Sequence, residues 1–194
     1  MAPAVSRCVD QRDGMNVDLV IRAQGGDREA FASLVLAVGG RLQGVATRVL
    51  RDADRAEDVT QTALLSIWRD LPTLRDPDRF EAWSYRLVIR ACYAEAKRSR
   101  RASDIRFLAI DGSTGGGLGV VDDRDQLERG FRQLPIDQRS VVVLYHYLDL
   151  SIEEVASTLG IPAGTVRSRL HRATRGLRAA LDADARPTLG EVAR

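Results

Sequence analysis

Five arginines and a histidine crowd into residues 167–178, and no acidic side chain appears between Glu154 and Asp182. At 100° per residue, Val166, Leu170, Ala173, Leu177 and Leu181 form one apolar stripe. Arg167, Ser168, His171, Arg172, Arg175 and Arg178 fall on the opposite arc, with Arg169 at the edge of the stripe. A solvated helix face ordinarily mixes both charge signs at i,i+4. A one-signed arc of planar guanidinium forks suits phosphate oxygens and guanine edges instead. Arg169, at the margin, either braces the fold or reaches a phosphate.

The residues just before this helix explain how it would be aimed. Ser151 and Glu154 have the spacing of a capping box, and Leu150 and Val155 that of a hydrophobic staple. Gly160 suits a left-handed helix end, and a second helix begins after Pro162. A short helix, a glycine turn and a basic helix make a helix-turn-helix, the second helix being the one that enters a major groove.

A second basic surface lies upstream. In residues 80–101, Leu87, Val88, Ile89, Ala91, Cys92 and Ala94 cover a broad apolar arc, so Cys92 reads as a small buried hydrophobe. Arg86, Arg90 and Lys97 occupy one narrow strip, with Tyr93 at one margin and Trp83 near the other. Cations flanked by aromatics suit a surface that tracks a nucleic-acid backbone and stacks unpaired bases. The alternative is aromatics serving the core with arginines snorkelling around them. Residues 71–80, with two prolines and turn-forming aspartates, are a loop beside that strip.

A third pattern is apolar. Residues 53–68 predict a helix with an acidic start, in which Val59, Ala63 and Ile67 face one way. Gln61, Leu65 and Trp68 follow another stripe, which is either a second packing face or a protein contact.

The elements that must position these groups are all helical. The chain has 194 residues, 44% hydrophobic and 29% charged, the composition of a folded protein. No apolar run approaches the ~18 residues of a membrane helix, and no signal-peptide core is present, which excludes a spanning protein. Cys8, Cys92, His146 and His171 form no metal-ligand spacing. His146 reads as a core or boundary histidine. The β-branched run at residues 140–145 sits inside a longer helical pattern, so the fold class is all-α. Residues 1–16 read as a flexible arm and 17–101 as one small helical domain. Residues 102–122, with the run Asp111 to Gly119, read as a flexible Gly-rich linker, 123–183 as a helix-turn-helix domain and 184–194 as a tail. Fully extended, that linker spans at most ~70 Å.

The combination resembles a bacterial RNA polymerase sigma factor of the extracytoplasmic-function (ECF) group. The resemblance runs over residues 17–181. It rests on Glu57, Asp58, Gln61 and Trp68; on Phe80, Trp83, Tyr85 and Arg86; on Leu134, Pro135, Gln138 and Arg139; and on the helix from Gly164 to Ala173. It implies a protein that joins core RNA polymerase, directs it to a promoter and helps open the duplex. By resemblance Asp58, Gln61, Leu65 and Trp68 dock on the clamp of the largest subunit, and the second-largest subunit's flap is a further contact. Arg75, Asp76, Arg79, Phe80, Trp83, Arg86, Arg90, Tyr93 and Lys97 engage the −10 element. Thr165, Arg167, Ser168, His171 and Arg172 read the −35 element, while Arg169 and Arg175 hold phosphates. An anti-sigma factor that occludes both domains is a further implied partner.

The chain departs from the group's pattern at Arg90, where asparagine is common, and at Ala94, where an acid is common. No catalytic residue, metal or cofactor is expected, and the implied setting is the cytoplasm. The competing reading is a helix-turn-helix regulator that acts without joining polymerase.

Overall fold

The computed structural model describes residues 17–107 and 123–184, with side chains over 17–101 and 128–181. The arm at 1–16, residues 108–122 of the expected linker and residues 185–194 of the tail lie outside the described residues. Among the described residues every element is helical and no strand occurs.

The first unit is a four-helix packing of α1 (Val17–Gln24), α2 (Arg28–Leu50), α3 (Ala53–Asp70) and α4 (Phe80–Phe107). Asp27 caps α2 by accepting the amides of Glu29 and Ala30 at 3.0 Å each. The bond from Ala30, aided by Arg22, holds its carboxyl below the usual range. Along α2, Ala30, Leu34, Val38, Leu42, Val45, Ala46 and Val49 are buried, a spacing that lays one face on the bundle. Contrary to the sequence expectation, this 23-residue helix, with mean hydropathy 1.3, is by length and composition apolar enough to cross a membrane. Its buried stripe instead forms the middle of the core, against α3 and α4.

Helix α3 buries Ala56, Val59, Thr60, Ala63 and Ile67, as its periodicity predicts. Two short 3₁₀ turns, Leu71–Thr73 and Pro77–Arg79, carry the chain to α4. The Gln24 side chain ties this connection to α1 by donating to the carbonyls of Leu71 and Leu74, at 3.1 and 2.7 Å. Helix α4 is longer than the sequence suggests: it runs through Phe107, across the first six residues read as linker.

The second unit contains α5 (Asp123–Gln133), α6 (Ile136–Val142), α7 (Ile152–Leu159) and α8 (Ala163–Asp184). The β-branched run is helical, as expected, but it ends in one π turn, Val143–Tyr147, that widens the helix before α7. The capping box at α7 forms in full: Glu154 N–H donates to Ser151 Oγ at 3.2 Å, and Ser151 N–H to Glu154 Oε2 at 2.7 Å. Gly160 ends α7 at φ +67°, where a Cβ would be strained. Ser151→Ala should therefore lower unfolding stability by about 1 kcal/mol in a urea titration. An unchanged midpoint would show that the cap contributes nothing.

The two units do not stand apart. Helix α4 packs on α7, and α2 packs on α6 and the π turn. The buried cluster runs without a break from Val20 in α1 to Val166 in α8. Cys92 sits within it at 0% exposure, and burial pushes its thiol up to about 12 from an ordinary 9.0. The native protein should thus resist thiol reagents at pH 8 at this position, and react there only after denaturation. Because the folded state holds this proton more tightly, the contribution is complete below about pH 9 and erodes between about 9 and 12. His146 departs from its expected place in or beside the core. It is exposed, its ring edge-on to Tyr145 at 4.8 Å between centroids.

Candidate nucleic-acid and protein interfaces

Helix α8 owes its orientation to Val166 and Ala173, both at 0% exposure, with Leu170, Leu177 and Leu181 partly buried beside them. The apolar stripe is thus sealed, and His171, Arg172, Arg175 and Arg178 are exposed on the far side. None of these four meets an acceptor among the residues whose side chains are described.

Two arginines of α8 find partners, Arg167 against the expectation of an uncompensated arc and Arg169 in line with its reading as a brace. Counter-charges absent from the helix itself come from its neighbours. Arg167 pairs with Glu153 of α7 at 3.1 Å, and Arg169, with 23% of its side chain exposed, pairs with Asp137 of α6 at 3.2 Å. The sequence showed no local acid because these partners lie fourteen and thirty-two positions away. Ser168 Oγ donates to the Thr165 backbone carbonyl at 3.0 Å, within the first two turns of the helix, and both residues are partly buried.

The upstream strip is less uniform. Arg90 and Lys97 are exposed on α4, and Arg75 is exposed on the connection before it. Arg79 pairs with Asp76 at 3.0 Å, while Asp76 also caps the Pro77–Arg79 turn through the Asp78 amide. Phe80 is a correction: at 0% exposure it is a core residue and cannot meet a ligand while the fold is intact. Its ring supports Trp83, 6.0 Å away, and Trp83 is partly buried against the core. Tyr93 is also partly buried, near Ser140 of α6, and burial pushes its hydroxyl up. Arg86 is turned to the second unit, donating Nε to the Thr158 carbonyl at 2.9 Å and Nη2 to that of Ser157 at 2.6 Å. The strip thus divides into free cations and groups engaged by α6 and α7.

The apolar stripe of α3 faces outward. Leu65 is 70% and Trp68 41% exposed, values that water penalises unless something covers them. With Gln61 they line an open hollow of about 570 Å³, shared with Arg28, Phe31 and Leu64. Phe31 meets Trp68 edge-on at 4.6 Å and stiffens the floor. Arg28, Phe31 and Leu64 were missed from sequence. Phe31 follows the Asp27 cap closely, but only the α2–α3 packing angle brings it to Trp68. Asp58 is exposed about one turn before Gln61, outside the lining of the hollow.

A helix-turn-helix with a sealed apolar back and an open cationic front, joined to a unit with its own basic helix and an exposed apolar hollow, defines a DNA-binding protein that also holds a protein partner. Comparison with known proteins narrows that class. The sigma-70 region 2 profile matches residues 34–102, and the sigma-70, region 4 profile matches residues 124–175. The RNA polymerase sigma-H factor of Pseudomonas aeruginosa is 34% identical over 188 residues, covering 90% of this chain and 95% of its own. The ECF RNA polymerase sigma-E factor of Escherichia coli K12 is 30% identical over 185 residues, covering 88% and 94%.

Solved structures agree. CnrH in complex with the cytosolic domain of CnrY matches with a TM-score of 0.64 at 28% identity, over 87% of this chain and 98% of that one. The sigma factor RpoE in complex with the anti-sigma factor NepR, from Bartonella quintana, matches with a TM-score of 0.63 at 25% identity, over 79% and 98%. The chain belongs to the ECF family of RNA polymerase sigma factors, and it directs promoter-specific transcription with core RNA polymerase.

Proposed function

We propose that the division of labour follows the three surfaces. His171 and Arg172 read base edges of the −35 element, with Thr165 and Ser168 at the helix start and Arg167 joining them once it exchanges Glu153 for DNA. Arg175 holds a phosphate, while Arg169, tied to Asp137, braces α8 on α6. Arg75, Arg79, Arg90 and Lys97 track the backbone of the −10 element, and Trp83 supplies an aromatic face for an unstacked base. Arg86 and Tyr93 join them when released from α7 and α6. Asp76 orders the adjoining turn. The domain limits that fit this reading are the first unit to residue 107 and the second from residue 123.

The hollow floored by Phe31 and Trp68 takes an apolar element of the largest-subunit clamp, with Gln61 and Asp58 on its polar side. The second unit would meet the flap of the second-largest subunit. The observation that carries this reading is the outward Leu65–Trp68 stripe, which a regulator acting on DNA alone has no use for. An anti-sigma factor is the partner by analogy with RpoE, whose solved structure holds one. The chain itself performs no catalytic step, and it acts where polymerase and chromosome meet, in the cytoplasm. Run-off transcription with purified core enzyme on genomic fragments tests all of this. Promoter-specific transcripts are expected, and DNA binding without any gain in initiation would return the chain to the regulator class.

A further inference from the structure

Neither basic face nor the hollow accounts for a further group of arginines, gathered where α2, α3, α4 and α6 meet. Arg51 ends α2 in a left-handed conformation, φ +61°, and Asp52 immediately caps α3. The tight turn thus carries two arginines, Arg51 and Arg55, to one corner. Arg55 donates to Ser99 Oγ, which ties that corner to α4 beside Arg100. Helix α6 packs on α2 and α4 and adds Arg139, close enough to feel the charges of both Arg51 and Arg100.

The carboxylates at hand do not balance these cations. Glu128 pairs with Arg51 at 2.8 Å, and Asp52 with Arg55 at 3.1 Å. Arg100 and Arg139 meet no carboxylate among the described residues. Four guanidiniums against two carboxylates leave an excess of two positive charges. The Nε groups of Arg51 and Arg139 are, besides, buried without an acceptor. Folded proteins rarely leave a buried donor unpaired, and one that is unpaired points to an ion or water that completes it. Burial, and then the charges of Arg51 and Arg100, weakens the hold of the Arg139 guanidinium on its proton. The Cys92 thiol could offset this only as a thiolate, and burial pushes that thiol up to about 12. At neutral pH the corner therefore lacks an anion.

We propose that this corner is a binding site for a phosphoryl anion of at least two negative charges, gripped by Arg139 and Arg100 within the field of Arg51 and Arg55. Guanidinium forks match phosphate oxygens two at a time, and they bind them through charge-assisted hydrogen bonds. A divalent anion answers the excess charge in full, whereas a single carboxylate answers half of it. Inorganic pyrophosphate and the phosphoryl tail of a nucleotide present the same oxygens to such a site. They differ in whether a ribose and base extend beyond it. The site needs neither DNA nor polymerase, so it stands apart from the promoter reading.

Isothermal titration of the full chain with inorganic pyrophosphate, at ionic strength matched with sodium chloride, should show one saturable site. The melting temperature should rise with pyrophosphate and not with chloride. Arg100 is exposed, so Arg100→Gln disturbs no packing, and it should weaken binding about tenfold through the loss of one charge-assisted contact. Arg139→Gln should abolish binding while circular dichroism shows the helices intact; should that variant unfold, Arg100→Gln decides alone. Arg178→Gln removes the same charge from the exposed arc of α8 and should leave the affinity unchanged. A nucleoside triphosphate, titrated without magnesium, separates the sources. Tighter binding than pyrophosphate assigns the site to a nucleotide, and equal or weaker binding assigns it to the free anion. Absence of saturation, or equal losses in Arg100→Gln and Arg178→Gln, overturns the site in favour of diffuse attraction. Displacement of pyrophosphate by a short DNA duplex overturns it in favour of a further DNA contact.

Discussion

Trp68→Ala is expected to weaken association with core RNA polymerase by about 2 kcal/mol or more, roughly thirtyfold, when labelled chain is titrated with core enzyme. The indole is a large apolar surface on a rigid helix, half in water, held at its edge by Phe31. Covering it returns much of the ordinary benefit of apolar burial with little rotamer entropy lost, since the ring is already pinned. The same substitution should leave helix content intact, because α3 faces the core through Ala56, Val59, Ala63 and Ile67 rather than through Trp68. Leu65→Asp, which places a charge in the same hollow, should be more damaging still. An affinity for core enzyme unchanged by both would remove the hollow from the polymerase interface and leave the exposed stripe unexplained.

Arg172→Ala should lower −35-dependent initiation by ~1–3 kcal/mol and relax base choice at one promoter position, if its fork grips a guanine edge. Arg175→Ala, one turn further along the exposed arc, should weaken binding evenly across sequences and reduce the salt slope by about one unit. The two variants discriminate because a base contact carries sequence information and a phosphate contact does not. Arg167 and Arg169 belong to different cases. Arg167 must first give up Glu153, so its net gain from DNA is the difference between two ion pairs. Arg169→Ala leaves Asp137 without its partner at the α6–α8 packing and should destabilise the second unit before it affects recognition. Wild-type transcription by both Arg172→Ala and Arg175→Ala would mean that α8 does not lie in the groove.

Local chemistry made much of this legible. The Ser151 capping box, the left-handed Gly160 and the sealed stripe of α8 depend on neighbours within a few residues, and each formed as its spacing predicts. The outward stripe of Leu65 and Trp68 was readable for the same reason, since periodicity within one helix decides which side chains share a face. Phe80 was misread because an aromatic next to a basic strip looks the same in sequence whether it points in or out. Only the packing of the turn before α4 placed it at 0% exposure.

By itself, then, the order of residues determined the helices, their caps, the two basic faces and the apolar one, because backbone periodicity and capping are short-range effects. The tertiary structure decided which elements meet. Glu153 beside Arg167, Asp137 beside Arg169, Phe31 against Trp68 and the α7 carbonyls under Arg86 are pairings between elements distant in the chain. No periodicity encodes them. They depend on the angles at which whole helices settle to bury their stripes, and those angles exist only once the core has closed.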